Sequence, residues 1–251
     1  MNQELLDYTL HLADNALIIG HRSSEWCGHG PVLEQDIAIS NIALDYIGQA
    51  RNFYQYAAEI VGQGATEDSL AYLRDVTDFK NALITELPNG DWAQTTLRIF
   101  FFSTYQYYFY QQLQQSTDNR LASIAEKSLK EVTYHLRWSS EWVIRLGDGT
   151  DESKDRMEQA LEELWPFTGE LFIPATYETS LLQQGIISTD LSILTSSWQQ
   201  KTEEIFAEAT LTLPDKRWAQ QGGKTGIHTE HLGYILAEMQ FLQRAYPGAE
   251  W

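Results

Sequence analysis

The sequence predicts an all-α protein built as a helical bundle, and three observations carry that reading. Apolar residues recur three to four positions apart through most of the chain, the period of a helix with one face buried. No segment shows the strict apolar–polar alternation of a strand. Gly, Pro and short capping residues interrupt the pattern at intervals that leave helices of ordinary or greater length.

The elements follow in order. Leu6, Leu10, Leu17 and Ile18 place an apolar side on a first helix, Gln3 to Glu25, which Cys27-Gly28-His29-Gly30-Pro31 breaks. Ile37, Asn41, Leu44, Gly48 and Phe53 mark a second helix from Glu34 to Val61, stopped by Gly62 and Gly64. A shorter helix is predicted from Glu67 to Phe79, and Pro88-Asn89-Gly90 turns the chain. The segment that follows, Trp92 to Thr117, runs 26 residues without Asp or Glu. Its Phe100, Phe101, Phe102, Tyr105, Tyr107, Tyr108, Phe109 and Tyr110 point in nearly every direction at helical pitch. Such a helix is either central to its own domain or covered by a second protein. Thr117 or Asp118 caps the next helix, to Arg145, and Gly147-Asp148-Gly149 ends it. Asp151 to Phe172 reads as helix divided at Pro166, and Tyr177 to Gln184 as a short helix ending at Gly185. Ser188 or Thr189 caps a helix to about Leu211. Pro214 to Gly226 reads as a flexible surface loop, and His228 to Ala245 as the final helix. With no repeat, low-complexity tract or linker, residues 1–251 read as a single domain.

Size and composition suit a globular chain with a substantial core: 251 residues, 43% hydrophobic and 12% aromatic. A formal charge of −18 disfavours nucleic acid and anionic lipid; it reads first as a solubility feature and, beyond that, as steering towards a basic protein partner. Cys27 is the only cysteine, so an intrachain disulfide and a Cys-rich zinc site are excluded. Nothing resembles a signal peptide or a membrane span, so a cytoplasmic protein is expected.

A bundle that holds two iron ions takes a carboxylate from each of two helices and a Glu-x-x-His pair from each of the other two. The acid-free helix supplies no carboxylate. On the second helix, Asp45 is followed three residues later by Gly48 instead of His; Asp45 reads better as a buried partner for Arg51 or a backbone group. Before His135, the position three back is Val132, and Glu131 stands one residue out of register. Asp45, Gly48, Val132 and His135 therefore read as degenerate ligand positions. No catalytic and no metal-binding residue is assigned. His228-Thr229-Glu230-His231 reads as a helix start rather than a zinc site, and His11, His21 and His29 as isolated histidines. Gly222-Gly223-Lys224-Thr225-Gly226 lacks the spacing of a phosphate loop. Tyr105, Tyr108, Phe109, Arg51 and Tyr54 are the candidate partner-facing residues.

Several strings resemble one family along the full chain. They are Glu25-Trp26-Cys27-Gly28-His29-Gly30-Pro31; Asn41-Ile42-Ala43-Leu44-Asp45 with Gly48-Gln49-Ala50-Arg51-Asn52-Phe53; Lys130-Glu131 with Tyr134-His135-Leu136-Arg137; Leu164-Trp165 with Phe167-Thr168; and His228-Thr229-Glu230-His231-Leu232-Gly233 with Ala237-Glu238-Met239-Gln240. They are similar to the C subunits of bacterial ring 1,2-phenylacetyl-CoA epoxidases. The resemblance implies a ferritin-like bundle with additional C-terminal helices. It also implies a non-catalytic subunit of an NADPH- and O2-dependent oxygenase of phenylacetate breakdown. The di-iron centre is then expected in a catalytic A subunit, FAD and an Fe–S centre in a reductase subunit, and no cofactor in this chain. The implied partners are the A subunit, as a heterodimer within a larger hetero-oligomer, further small subunits and the reductase; a homodimer is the arrangement expected of the chain alone. Two alternatives stand beside this: an autonomous di-iron oxidase using Glu131 and His135, and a generic helical scaffold.

Overall fold

The computed structural model describes residues 2–189, 191–214 and 219–249, and among them every regular element is helical. In chain order the helices are α1 (Gln3–Ser24), α2 (Leu33–Val61), α3 (Glu67–Tyr72), α4 (Trp92–Leu113), α5 (Asn119–Gly147), α6 (Asp151–Leu164), α7 (Thr176–Gln183), α8 (Leu191–Glu208), α9 (Glu230–Met239) and α10 (Phe241–Ala245), with short 3-10 turns between several of them. The residues divide into two compact units. One holds residues 1–88, 175–180 and 221–251; the other holds 89–174 and 181–220.

The first unit is built on α1 and α2. Asp14 faces Tyr54, and Gly20 lies against Tyr46 and Ile47, so the two helices run antiparallel. A β-carbon on Gly20 would sit 3.0 Å from the end of Ile47, so the absence of a side chain lets the helices pack closely there. Asn2 opens α1 by accepting a hydrogen bond from the Leu5 amide.

The second unit is built on α4 and α5, also antiparallel: Ser103 meets Ser139, and Trp92 packs edge-on against Trp138 and Trp142. Asp91 caps α4 and Asp118 caps α5. The acid-free helix is central to its own unit. Phe100, Phe101, Phe102, Tyr105, Phe109 and Tyr110 are all buried, and only Tyr107 and Tyr108 of the aromatic run keep partial exposure. The Trp198 indole of α8 seals this core by donating to the Phe101 carbonyl at 2.9 Å. Two long antiparallel helix pairs, with further helices after them, match the all-α, ferritin-like inventory expected of the sequence.

Several sequence expectations change in detail. α3 stops at Tyr72, because Arg74 is drawn inward to Asp14, and a 3-10 turn at Val76–Asp78 replaces the rest of the helix. Pro166 ends α6 at Leu164, and two 3-10 turns follow. The last helix is split at Gln240, whose side chain donates to the carbonyls of Ala71 and Arg74. Asp190 and residues 215–218, which include part of the 214–226 loop, lie outside the described residues; of the two expected caps of α8, Ser188 donates its hydroxyl to the Gln112 carbonyl at 3.3 Å.

Candidate functional site

Each unit holds one pair of long helices, and the degenerate ligand positions lie on α2 of the first and α5 of the second. On α5, Val132 and His135 are both fully buried, while Glu131 is half-buried. The helix thus turns an isopropyl group and an imidazole inward where two ligands are required. Glu131 lies near Tyr110, whose phenol is pushed up first by burial and then by that carboxylate's charge. α4 presents a buried guanidinium, Arg98, hydrogen-bonded to Asn89, and no carboxylate at all. On α2, a β-carbon at Gly48 would meet nothing within 4 Å, so that position points outward from its unit. Asp45 is half-buried, and Arg51 pairs with Glu67 at 3.6 Å, which corrects the expected Asp45–Arg51 contact. On α1, Asp14 is fully buried and already saturated: it accepts from Tyr54, from Arg74 and from the Lys80 amide at 2.8 Å. Among the described residues, no three His, Cys, Asp or Glu side chains converge in a way that could hold a metal ion.

The first unit instead contains a belt of buried ionic and polar pairs that fastens its irregular segments to α1. Burial would lower the Arg74 guanidinium's pKa, but the Asp14 carboxylate outweighs it and the shift is upward. His11 donates from Nδ1 to the Lys80 carbonyl at 2.6 Å, and Asn15 donates to its Nε2 at 3.2 Å. That fixes a neutral tautomer. Burial, helped by the Lys224 charge, lowers the His11 pKa to about 4. His228 is the opposite case. Its Nε2 donates to the Phe79 carbonyl at 2.9 Å and its Nδ1 faces Glu86 at 2.8 Å. Burial works against its charge, yet the Glu86 carboxylate prevails and raises its pKa.

Glu86 is itself wholly buried and also accepts from the Asn81 side chain and from the Thr229 amide at the start of α9. Lys224 reaches Glu178 at 2.9 Å, both side chains nearly inaccessible. The stretch read as a flexible surface loop is therefore, at Gly223 and Lys224, buried and anchored. The sequence offered one signal for this, Lys224 between glycines, since only glycine lets the backbone approach closely enough to bury it. His228 and Thr229 do begin α9, with Thr229 as its cap. His21 is shifted downward by burial, and Cys27 is exposed, its carbonyl facing the His29 ring.

Of the residues read as partner-facing, Tyr54, Tyr105 and Phe109 are buried within their own units, where their rings serve packing. That takes them off the accessible surface and corrects their proposed role. Tyr108 is half-buried and Arg51 is exposed. Arg51 stands at a cleft of about 240 Å³ lined also by Leu17, Ile47, Tyr54, Glu67 and Tyr72. No helix among the described residues is long and apolar enough to cross a membrane.

Comparison with known proteins gives this bundle a family. The chain is similar to the C subunit of 1,2-phenylacetyl-CoA epoxidase from Escherichia coli (strain K12), with 47% identity over 251 residues that cover 100% of both chains. The phenylacetic acid catabolic protein family matches residues 1–251, and the chain belongs to that family.

Proposed function

We propose that this chain is a non-catalytic structural subunit of a multicomponent di-iron oxygenase that epoxidises phenylacetyl-CoA, pairing with the catalytic subunit and stabilising it. The observation that carries the reading is the full-length similarity, at 47% identity, to a protein named as the C subunit of that epoxidase. The side chains support the non-catalytic part: Val132 and Gly48 stand at ligand positions, α4 brings Arg98 in place of a carboxylate, and Asp14 is neutralised by Arg74. A di-iron bundle must hold its ligands rigidly, and packing against a second, inert bundle supplies that rigidity. The iron then belongs to the catalytic partner, and the flavin and iron–sulfur groups to the reductase. The cytoplasm is the compartment such an NADPH-dependent assembly would occupy.

The test is to purify the chain alone and together with the catalytic subunit. The lone chain is expected to retain no stoichiometric iron after chelation and to turn over no phenylacetyl-CoA. The catalytic subunit is expected to be less soluble or less stable without it. One or more irons per lone chain, resistant to chelator, would overturn the reading.

A further inference from the structure

The geometry points to the outward face of α2 as the docking surface for an apolar, basic-edged helix of a different chain. Leu33, Ile37, Leu44, Gly48 and Arg51 fall within an arc of about 60° at 100° per residue, along about 27 Å of helix. Leu33 is 71% exposed, Ile37 53% and Leu44 68%, and Val32 at the helix start extends the patch at 54%. The opposite side of the same helix is the core: Ile39, Ile42, Tyr46, Ala50 and Phe53 are buried. α2 is therefore apolar on both sides, and only one of them is covered within the chain. Ser40 and Asn41 separate Ile37 from Leu44, and exposed apolar side chains grouped in this way on one helix face commonly mark a binding surface.

The spacing 33, 37, 44, 48, 51 alternates fours, threes and sevens, the seam along which a second helix packs at a shallow angle. Gly48 lies towards the C-terminal end of that seam with open space where a side chain would stand, so a partner backbone can come close there. The edges of the seam carry Glu34 and Asp36 at one end, Asp45 in the middle and Glu59 at the other end. A second copy of this chain would set −18 against −18 and acidic edge against acidic edge. A helix with apolar residues along its contact line and Lys or Arg at its margins complements the surface instead.

This inference rests on the subunit reading above, and its test separates the two. Affinity for the catalytic subunit is measured for the native chain and for Gly48→Trp, Leu44→Glu and Glu34→Lys. A variant at the exposed apolar residues of the C-terminal helices, Tyr234→Ser with Phe241→Ser, serves as control. Gly48→Trp and Leu44→Glu are expected to weaken binding by about 100-fold, with melting curves unchanged because both positions face outward. Glu34→Lys is expected to slow association at low salt by a few-fold, an effect lost at high salt. The C-terminal variant is expected to bind as the native chain does. Native affinity in Gly48→Trp, or a dimer of the free chain that Gly48→Trp dissociates, would overturn the α2 assignment. Failure of the native chain to bind would instead remove the subunit reading, and this assignment with it.

Discussion

The ammonium of Lys224 lies 2.9 Å from the carboxylate of Glu178, and neither side chain is more than 7% exposed. The two residues are 46 positions apart, and the Tyr177 hydroxyl donates to the Lys224 carbonyl at 3.2 Å beside them. Such a pair is neutral as a pair and costly as halves. Lys224→Met or Glu178→Gln alone is expected to destabilise the chain by about 3–5 kcal/mol, because a buried charge is left uncompensated. The double variant Lys224→Met/Glu178→Gln is expected to recover most of the loss. Urea unfolding midpoints of the four proteins close the cycle, and additive losses would refute the coupling.

Acid sensitivity follows from His11. Its pKa in the folded chain, about 4, lies below the ordinary 6.5, so the unfolded chain binds the proton first. The stability it contributes is whole above pH 6.5 and drains away as pH falls towards 4, by about 3 kcal/mol in all. Glu178, held below its usual range by Lys224 against the opposing effect of burial, adds to the same acid limb at lower pH. His228 acts on the other side: its raised pKa stabilises the fold below 6.5, and that contribution is lost as pH rises through the folded value. A His11→Gln variant should show a flatter loss of stability between pH 6.5 and 4 in denaturant titrations.

Gly223 sits where a β-carbon would lie 2.2 Å from the Asn81 carbonyl oxygen. Gly223→Ala is expected to cost about 1–3 kcal/mol, because backbone rather than a yielding side chain would have to move. Gly226 adds a φ of +82° and lies against the Thr77 carbonyl, so Gly226→Ala should be at least as harmful. Gly48→Ala, with nothing within 4 Å, should raise the melting temperature slightly. Thermal melts of the three variants give the order directly.

Arg74 holds Asp14 together with Tyr54, and its guanidinium also lies 4.2 Å from the centre of the Phe79 ring. Arg74→Met is expected to cost about 3–5 kcal/mol by stranding Asp14, whereas Tyr54→Phe, which removes one of several donors, should cost about 1–2 kcal/mol. The ratio of the two losses in chemical denaturation is the measurement.

What the residues alone disclosed, and what they withheld, divides along physical lines. The four long helices were legible because each advertises itself locally, by periodic apolar residues and by capping groups such as Asp91 and Asp118. That Val132 stands three residues before His135 is likewise a statement about one helix. The buried belt was not, since Asp14 finds Arg74 across 60 positions and Glu86 finds His228 across 142. Nothing near Glu86 in sequence says that it is fully buried. The aromatic crowd on α4 leaves two readings open in sequence, central to its own domain or covered by a partner, and its burial favours the first, with Tyr105 and Phe109 inside. Pitch alone does not say which neighbours supply the cover. On α2, the exposed Leu44 and Ile37 follow the same periodic rule as the buried residues, so only three-dimensional placement separates the two faces.

The partnership of Glu86 with His228 and Thr229 carries a consequence for biosynthesis. The first 88 residues are synthesised well before His228 and Thr229, so of the native partners of the Glu86 carboxylate named above only Asn81 is made alongside it. Maturation of that half is therefore a post-translational event, triggered by arrival of the segment from residue 221 onward. Any binding face displayed by the early helices becomes rigid only once the polypeptide is finished, which favours docking between completed chains over capture of a growing one.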